Sequence, residues 1–539
     1  MNPADTQKDV VSLPDHCLRR GIPLRVKNGE SGYYAAKGAM IEETMSTVRA
    51  RKNDILRYMT QSGESRFRVA AASGNRAPLF NRFLWKDYSN RVMEISSANA
   101  PHIVMRCSGE ILTDALLRSI DILLERHDVL NSSIEMAGGN LYLVCRAKKP
   151  VAFREIVVSG KTPREREDNA YRIANGLVWE EYDLDNGPLY RVFLIRLSAV
   201  DYIFGVALHH AIGDMISIGI MYRELFSIYC SVVFGTPLMT PPARLRYMDY
   251  LASMESWSKS SACEEHIRYW KVKLGSAPVT DLPRNGNRPL DGTALESTAE
   301  AKLLFDAETT SGLKKIAVQL KTTLFTVLLT IYKIALWRMT GQEELLVVVL
   351  HAGRFDAGFQ NAIGDFALEV ACKTCLAGNP GFTEAAGRVT RAMNEAVFRQ
   401  PVPFDWIRRA LAKDGISFCA PGINFTSGDT RHTRDPLEPR PLKFIPPGVK
   451  HGCNGFPVSF AVEFHDRGDV IEGSMVYRNA FYDEETINTF LNCFTQTAAG
   501  VIRFPCLGSA GWKNFTGSMI WDFGGERRNG QAIETIEKT

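Results

Sequence analysis

The 539-residue chain is 45% hydrophobic and 23% charged, the balance of a water-soluble globular protein, and it is too long for one ordinary core. A net charge of +4 gives no reason to expect a nucleic-acid partner, and no apolar run approaches the roughly 20 residues that span a bilayer. The N-terminus lacks a basic-then-apolar signal and the 11 cysteines follow no framework spacing, so a cytoplasmic protein with reduced thiols is expected.

Taken in chain order, residues 22–27 (IPLRVK) alternate apolar and polar side chains, and NGES then GYYAA follow, which places a hairpin turn at Asn28-Gly29. Residues 41–59 carry a one-faced apolar pattern and predict a helix. Residues 61–78 have the composition of a linker. Strands are predicted over 102–109, 141–147, 190–198 and 201–210, with helices over 111–127 and 216–234. Residues 247–274 read as helical, and the Pro- and Gly-rich 277–292 as an extended crossing segment. The second half predicts a helix over 322–341, a buried strand over 344–353, a helix over 380–397, paired strands within 458–479 and a helix over 483–502. The class is α/β with mixed sheets, because the strands near 190 and 201 are spaced as a hairpin.

Chemistry concentrates in HHAIGD, residues 209–214, at the end of a strand. Adjacent residues on a strand face opposite ways, so His209 and His210 cannot both point into one cavity. A histidine there titrates near neutrality and suits a general base. Gly213 eases the turn before the next helix, and Asp214 is placed to cap that helix. The plainer alternative is a half-buried histidine pair beside a capping aspartate. A metal site would need a third ligand that the neighbouring sequence does not offer, and no G-x-S-x-G elbow supports a serine hydrolase. The ACKTC pair, Cys372 and Cys375, has no second pair or nearby histidine and is read as structural.

HHAIGDM resembles the HHxxxDG signature of the condensation domains of nonribosomal peptide synthetases, in the wider HxxxD acyltransferase superfamily. Further segments are similar in the expected order: LFNRFLW (79–85), ERHDVLNSS (125–133), YDLDNGPLYRVFLIRL (182–197), YMDY (247–250), YWKVKL (269–274), LPRNGNRP (282–289), AGR (352–354), IGDFALEV (363–370) and QPVPFD (400–405). The resemblance covers about residues 78–502. It implies two chloramphenicol-acetyltransferase-like lobes in a V around a central tunnel, with boundaries at 78–276 and 277–505. Residues 63–77 would be a linker, and residues 506–539 a tail of unassigned role. By position, His210 is the implied catalytic residue, His209 its support, and Asp214 a structural carboxylate paired with Arg354 or Arg191. Three departures stand out: Met215 replaces the closing glycine and adds bulk beside the site, Asn131 replaces an arginine, and Leu368 replaces an asparagine.

Residues 1–62 resemble the β-hairpin docking module that precedes some condensation domains and adds a carrier protein's tail as an extra strand. This segment holds ten Lys/Arg against seven Asp/Glu, and Arg25, Lys27, Arg49, Arg51 and Lys52 are the expected docking residues. The implied activity is acyl transfer in trans to the amine or hydroxyl of a small-molecule or second carrier-protein acceptor in polyketide or nonribosomal-peptide biosynthesis, with chain release onto a small molecule the favoured outcome. The acyl chain would come from the phosphopantetheine arm of a partner carrier protein. No cofactor or metal of the chain's own is expected, and a monomer is. The alternatives are an acyl-CoA-dependent HxxxD acyltransferase and a non-catalytic carrier-binding domain.

Overall fold

A computed structural model of the chain describes residues 24–27, 30–33, 74–79, 100–138, 140–238, 240–275, 280–284, 298–378, 380–399, 402–416, 420–427, 440–441 and 459–503. The helix expected over 41–59, most of the 63–77 linker and the 506–539 tail lie outside the described residues. An N-terminal hairpin pairs β1 (Leu24–Lys27) antiparallel to β2 (Glu30–Tyr33), with Lys27 opposite Glu30. This is the register that a two-residue Asn-Gly connection predicts.

The first half continues as β3 (Arg76–Pro78), β4 (His102–Ser108), α1 (Thr113–Arg126), β5 (Ser132–Ala137), β6 (Asn140–Cys145), β7 (Phe153–Val157), α2 (Pro163–Trp179), β8 (Tyr190–Ser198), β9 (Asp201–Leu208), α3 (Met215–Phe234), α4 (Tyr247–Ser258) and α5 (Ser261–Gly275). The second half runs β10 (Thr298–Phe305), α6 (Ala307–Gln319), α7 (Leu324–Thr340), β11 (Glu344–His351), β12 (Leu368–Cys375), α8 (Phe382–Arg399), α9 (Phe404–Ala412), β13 (Gly422–Ser427), β14 (Arg440–Pro441), β15 (Phe460–Asp466), β16 (Ile471–Arg478) and α10 (Glu484–Arg503). The 247–274 stretch is two helices and not one. The chain turns at Ser260, whose hydroxyl then accepts from the Cys263 N–H to start α5.

The sheets are mixed, as expected. One has the order β14-β4-β9-β8-β7, with β7 parallel to β8 and the β8–β9 and β4–β9 pairs antiparallel. A three-stranded sheet β3-β6-β5 lies in the same half, and a six-stranded sheet β10-β16-β15-β13-β11-β12 forms the other. Strand β14 belongs to the second half by sequence yet pairs with β4 of the first, Arg440 opposite Arg106.

Period-two alternation explains how the first sheet is covered on both faces. Val192, Leu194, Phe204 and Val206 join the large cluster with α1 and α3, whereas Phe193, Ile195 and Ile203 join a second one with Ala170, Ala174 and Leu177 of α2. Gly205 lies opposite Phe193, and a Cβ there would sit 2.1 Å from that ring. The same alternation splits β11. Leu345, Val347 and Val349 face the core of the second half, and Leu346 and Val348 join the cluster built mostly from the first. The two halves therefore share a core along this strand.

Helix α3 passes the length and composition test for a membrane span among the described residues, contrary to the expectation that no run approaches it. Its apolar character is spent on the core, with Ile218, Met221, Leu225 and Ile228 buried. Asp214 accepts from the Ser217 N–H at its start, and Gly235 closes it in the left-handed conformation at φ 63°.

Glu224 of α3 fastens this helix to α1. Its carboxylate takes the buried His127 Nε2 at 2.9 Å and the partly buried Arg126 Nε. Burial alone would raise the Glu224 carboxyl, but His127 and Arg126 outweigh it and hold the value below the ordinary range. The stability this carboxylate contributes is thus present above the ordinary glutamate range and lost as pH falls through the lowered value. Glu224→Ala should destabilise the fold by about 3–5 kcal/mol, read by urea unfolding at neutral pH, with a smaller difference from wild type in acid.

Candidate functional site

The histidine pair does not sit on the strand. Strand β9 ends at Leu208, and His209 caps a short 3-10 turn, His210–Ile212, that leads to α3. Turn geometry, and not strand alternation, separates the two rings: His209 is fully buried and the His210 side chain is 26% exposed. Gly213 has φ −167°, an extended backbone that any residue adopts. Its real constraint is space, because a Cβ there would lie 2.4 Å from Leu208 Cδ1.

The His209 imidazole accepts from the Ala211 N–H through Nδ1 at 3.2 Å and packs edge-on against Tyr182. Burial, reinforced by the neighbouring His210, pushes its pKa down to about 3, so it stays neutral. Arg191 stacks on Tyr182 in turn, 4.2 Å from the ring centroid. Its guanidinium donates to the carbonyls of Leu177, Glu180 and Glu181 at the end of α2. Of the two arginines expected to pair with Asp214, Arg191 is thereby excluded; it buttresses His209 through Tyr182.

Asp214 pairs with Arg354, whose Nη2 lies 3.0 Å from Oδ1. The same nitrogen donates to Ser217 Oγ at 2.8 Å. Asp214 also accepts from the N–H of Ser217 at 2.7 Å and of Phe366 at 3.1 Å. Burial pushes its carboxyl up, Arg354 and Ser217 pull against it, and the nearby Asp365 adds to the rise, so the net shift is upward. Ser217 Oγ completes the link by donating to the Gly364 carbonyl at 2.7 Å and accepting from the Gly364 N–H at 3.0 Å. Gly353, at φ 65°, makes the turn that delivers Arg354, and a Cβ there would meet the Phe366 carbonyl oxygen at 1.6 Å.

The loop clamped in this way carries Asp365, whose Oδ2 lies 3.5 Å from His210 Nδ1. Sequence reasoning does not pick out Asp365 or Ser217. The signal for the first is an acidic residue between the apolar Ile363 and Phe366 of IGDFALEV. Burial disfavours the charged His210 ring, but the Asp365 carboxylate outweighs it, so His210 holds its proton more tightly than an ordinary histidine. Met215 and Ile216, the first residues of α3, are exposed. Asn131 donates to the Leu124 carbonyl at the end of α1, and Leu368 is buried opposite His351.

Strand β1 contains Arg25 and Lys27; Arg49, Arg51 and Lys52 lie outside the described residues. Cys372 is buried and Cys375 exposed, both as free thiols, and among the described residues no cluster of His, Cys, Asp or Glu could hold a metal ion.

The turn presents one titratable imidazole, braced by a buried Asp–Arg pair across the two mixed-sheet halves. Residues 88–508 match the family model of the condensation domain, and the chain belongs to that family. It is 31% identical over 351 residues to a linear gramicidin synthase protein from Brevibacillus parabrevis, covering 64% of this chain and 7% of that protein. Malpinin synthetase from Mortierella alpina is 25% identical over 390 residues, 71% of this chain and 5% of that one. The chain thus spans a small fraction of these relatives. The fold is similar to the X-domain in complex with OxyB from teicoplanin biosynthesis, with TM-score 0.65, 20% identity, and coverage of 82% of this chain and 96% of that one. It is also similar to a structure described as the basis of condensation-domain-mediated chain release from the enacyloxin polyketide synthase, with TM-score 0.63, 19% identity and coverage of 92% and 96%. Condensation domains work with carrier proteins, whose phosphopantetheine arm presents the acyl group, and the family forms amide and ester bonds.

The Asp214–Arg354 pair is buried, with 6% side-chain exposure on each partner. Arg354→Ala leaves a buried carboxylate unpaired and should cost about 3–5 kcal/mol, seen as a lowered thermal midpoint. Arg354→Lys, which keeps the charge but not the shared Nη2, should recover only part of that loss.

Proposed function

We propose that this condensation domain acts in trans, moving an acyl chain from a carrier-protein thioester to the amine or hydroxyl of a small-molecule acceptor and so releasing the chain. The observation that carries this reading is the asymmetry of the histidine pair. His209 is sealed and neutral, whereas His210 keeps an exposed edge while its Nδ1 is buried against Asp365. The acceptor atom attacks the thioester carbonyl as His210 takes its proton; the new C–N or C–O bond forms, the C–S bond breaks, and the proton passes to the departing phosphopantetheine thiolate.

The test is to load a carrier protein with an acyl chain, offer amine and alcohol acceptors, and follow product by mass spectrometry. His210→Ala should lower transfer by about 10²–10⁴-fold. Retained turnover in that variant would remove the base role. Transfer from acyl-CoA alone would favour a CoA-dependent acyltransferase, and carrier binding without product would favour a recruitment domain.

Docking of the carrier protein is assigned to residues 1–62, with Arg25, Lys27, Arg49, Arg51 and Lys52 as contacts. The β1–β2 hairpin supports it, since a two-stranded ribbon leaves edges to which a further strand can add. Deleting residues 1–62 should weaken transfer from the carrier protein and spare transfer from a small acyl thioester. An equal fall in both would remove the docking assignment.

A further inference from the structure

We propose that Asp365 is a positioning residue for His210: its carboxylate holds the imidazole by Nδ1, turns the opposite ring edge toward the reacting atoms, and steadies the imidazolium formed when the acceptor's proton is taken up. This deepens the acyl-transfer reading and rests on it. The geometry is specific. Asp365 Oδ2 lies 3.5 Å from His210 Nδ1, the Asp365 side chain is 1% exposed, and the Nδ1 atom is itself buried. The 26% exposure that the His210 side chain retains therefore belongs to other atoms. Nδ1 is the nitrogen away from solvent, and Nε2 is left for the acceptor.

Nothing about Asp365 is left to a mobile loop. Ser217 Oγ holds both the N–H and the carbonyl of Gly364, and Phe366 N–H is bonded to Asp214. A Cβ on Gly364 would meet the Tyr247 ring at 2.3 Å, so the backbone packs closely against that side chain. Both residues flanking Asp365 are thus fixed, and its carboxylate is delivered to His210 by the same clamp that binds the two halves. The separation is longer than a formed hydrogen bond, and such contacts commonly tighten only when substrate is bound and the ring becomes charged.

The charged and titratable groups around His210 are Asp365, Asp214, Arg354 and His209, with Tyr247 and Tyr250 behind Asp365. Asp214 is paired with Arg354 at 3.0 Å, Asp365 also attracts that arginine, and burial keeps His209 neutral and both tyrosines protonated. Asp365 is the group left to face the His210 ring. Because the wild-type ring holds its proton more tightly than an ordinary histidine, and transfer needs the neutral base, the acid limb of kcat/KM should lie at a higher pH than an ordinary histidine would give.

The test uses the full chain with carbon-labelled histidine, the His210 signal being the one absent from His210→Ala. In Asp365→Asn the NMR titration midpoint of His210 should fall by about one pH unit or more. With an active donor and acceptor pair, the acid limb of kcat/KM should move the same way. In that variant kcat should fall about tenfold or more, with the acceptor KM little changed. Asp365→Ser is the second variant should Asn disturb folding, and melting temperature is checked for both. An unmoved His210 midpoint overturns the pairing, and a moved midpoint with unchanged kcat overturns the positioning role. If the midpoint moves and wild-type protein transfers nothing from any thioester, the acyl-transfer reading falls while the pairing stands.

Discussion

One hydrogen-bonded hub ties the molecule together: Asp214 and Ser217 at the start of α3 are joined to Arg354 and to the Gly364–Phe366 backbone of the other half. Each group in it has more than one task. Asp214 caps α3 and binds the arginine, and Ser217 both donates to and accepts from Gly364. A buried ion pair is a weak stabiliser when set against apolar packing, because desolvation offsets the attraction. Its value here is geometric. Removing one member leaves a buried charge behind, so the two halves are held to one relation at the point where His210 emerges.

The site follows from unequal burial. Two identical side chains stand next to each other in the chain, yet one lies behind Tyr182 and Arg191 and the other beside a carboxylate. Low polarity around His209 disfavours its charged form, and the fixed anion beside His210 favours it. A protein that must move one proton at a defined atom is served by this separation, since the second imidazole then cannot compete for it. The shared core along β11 and the return of β14 to the first sheet add two further links between the halves.

Much of the fold is legible in the residue pattern. Strand β8 and helix α3 fall where the apolar periodicity places them, and the hairpin register follows from Asn28-Gly29. Helix α2 escapes that reading, because its first turns are mostly charged and its buried face is little more than Ala170, Ala174, Leu177 and Val178. Strand β12 and helix α6 escape it too, since short or sparse apolar patterns become decisive only once a neighbouring layer exists to pack on them. Strand β9 ends two residues earlier than its pattern suggests, because a strand and a cap share the apolar run that precedes them.

By itself the sequence determined the HHAIGD group, its place between a buried strand and an apolar helix, and membership of a family recognisable from ordered motifs. Those are properties of residue type and spacing. Only the tertiary structure decided which arginine meets Asp214, which histidine stays neutral, and that Asp365, 155 positions beyond His210 in the chain, stands beside its ring. Each depends on contacts between segments far apart in sequence, and burial, which sets the charge of a buried group, exists only when those segments have packed.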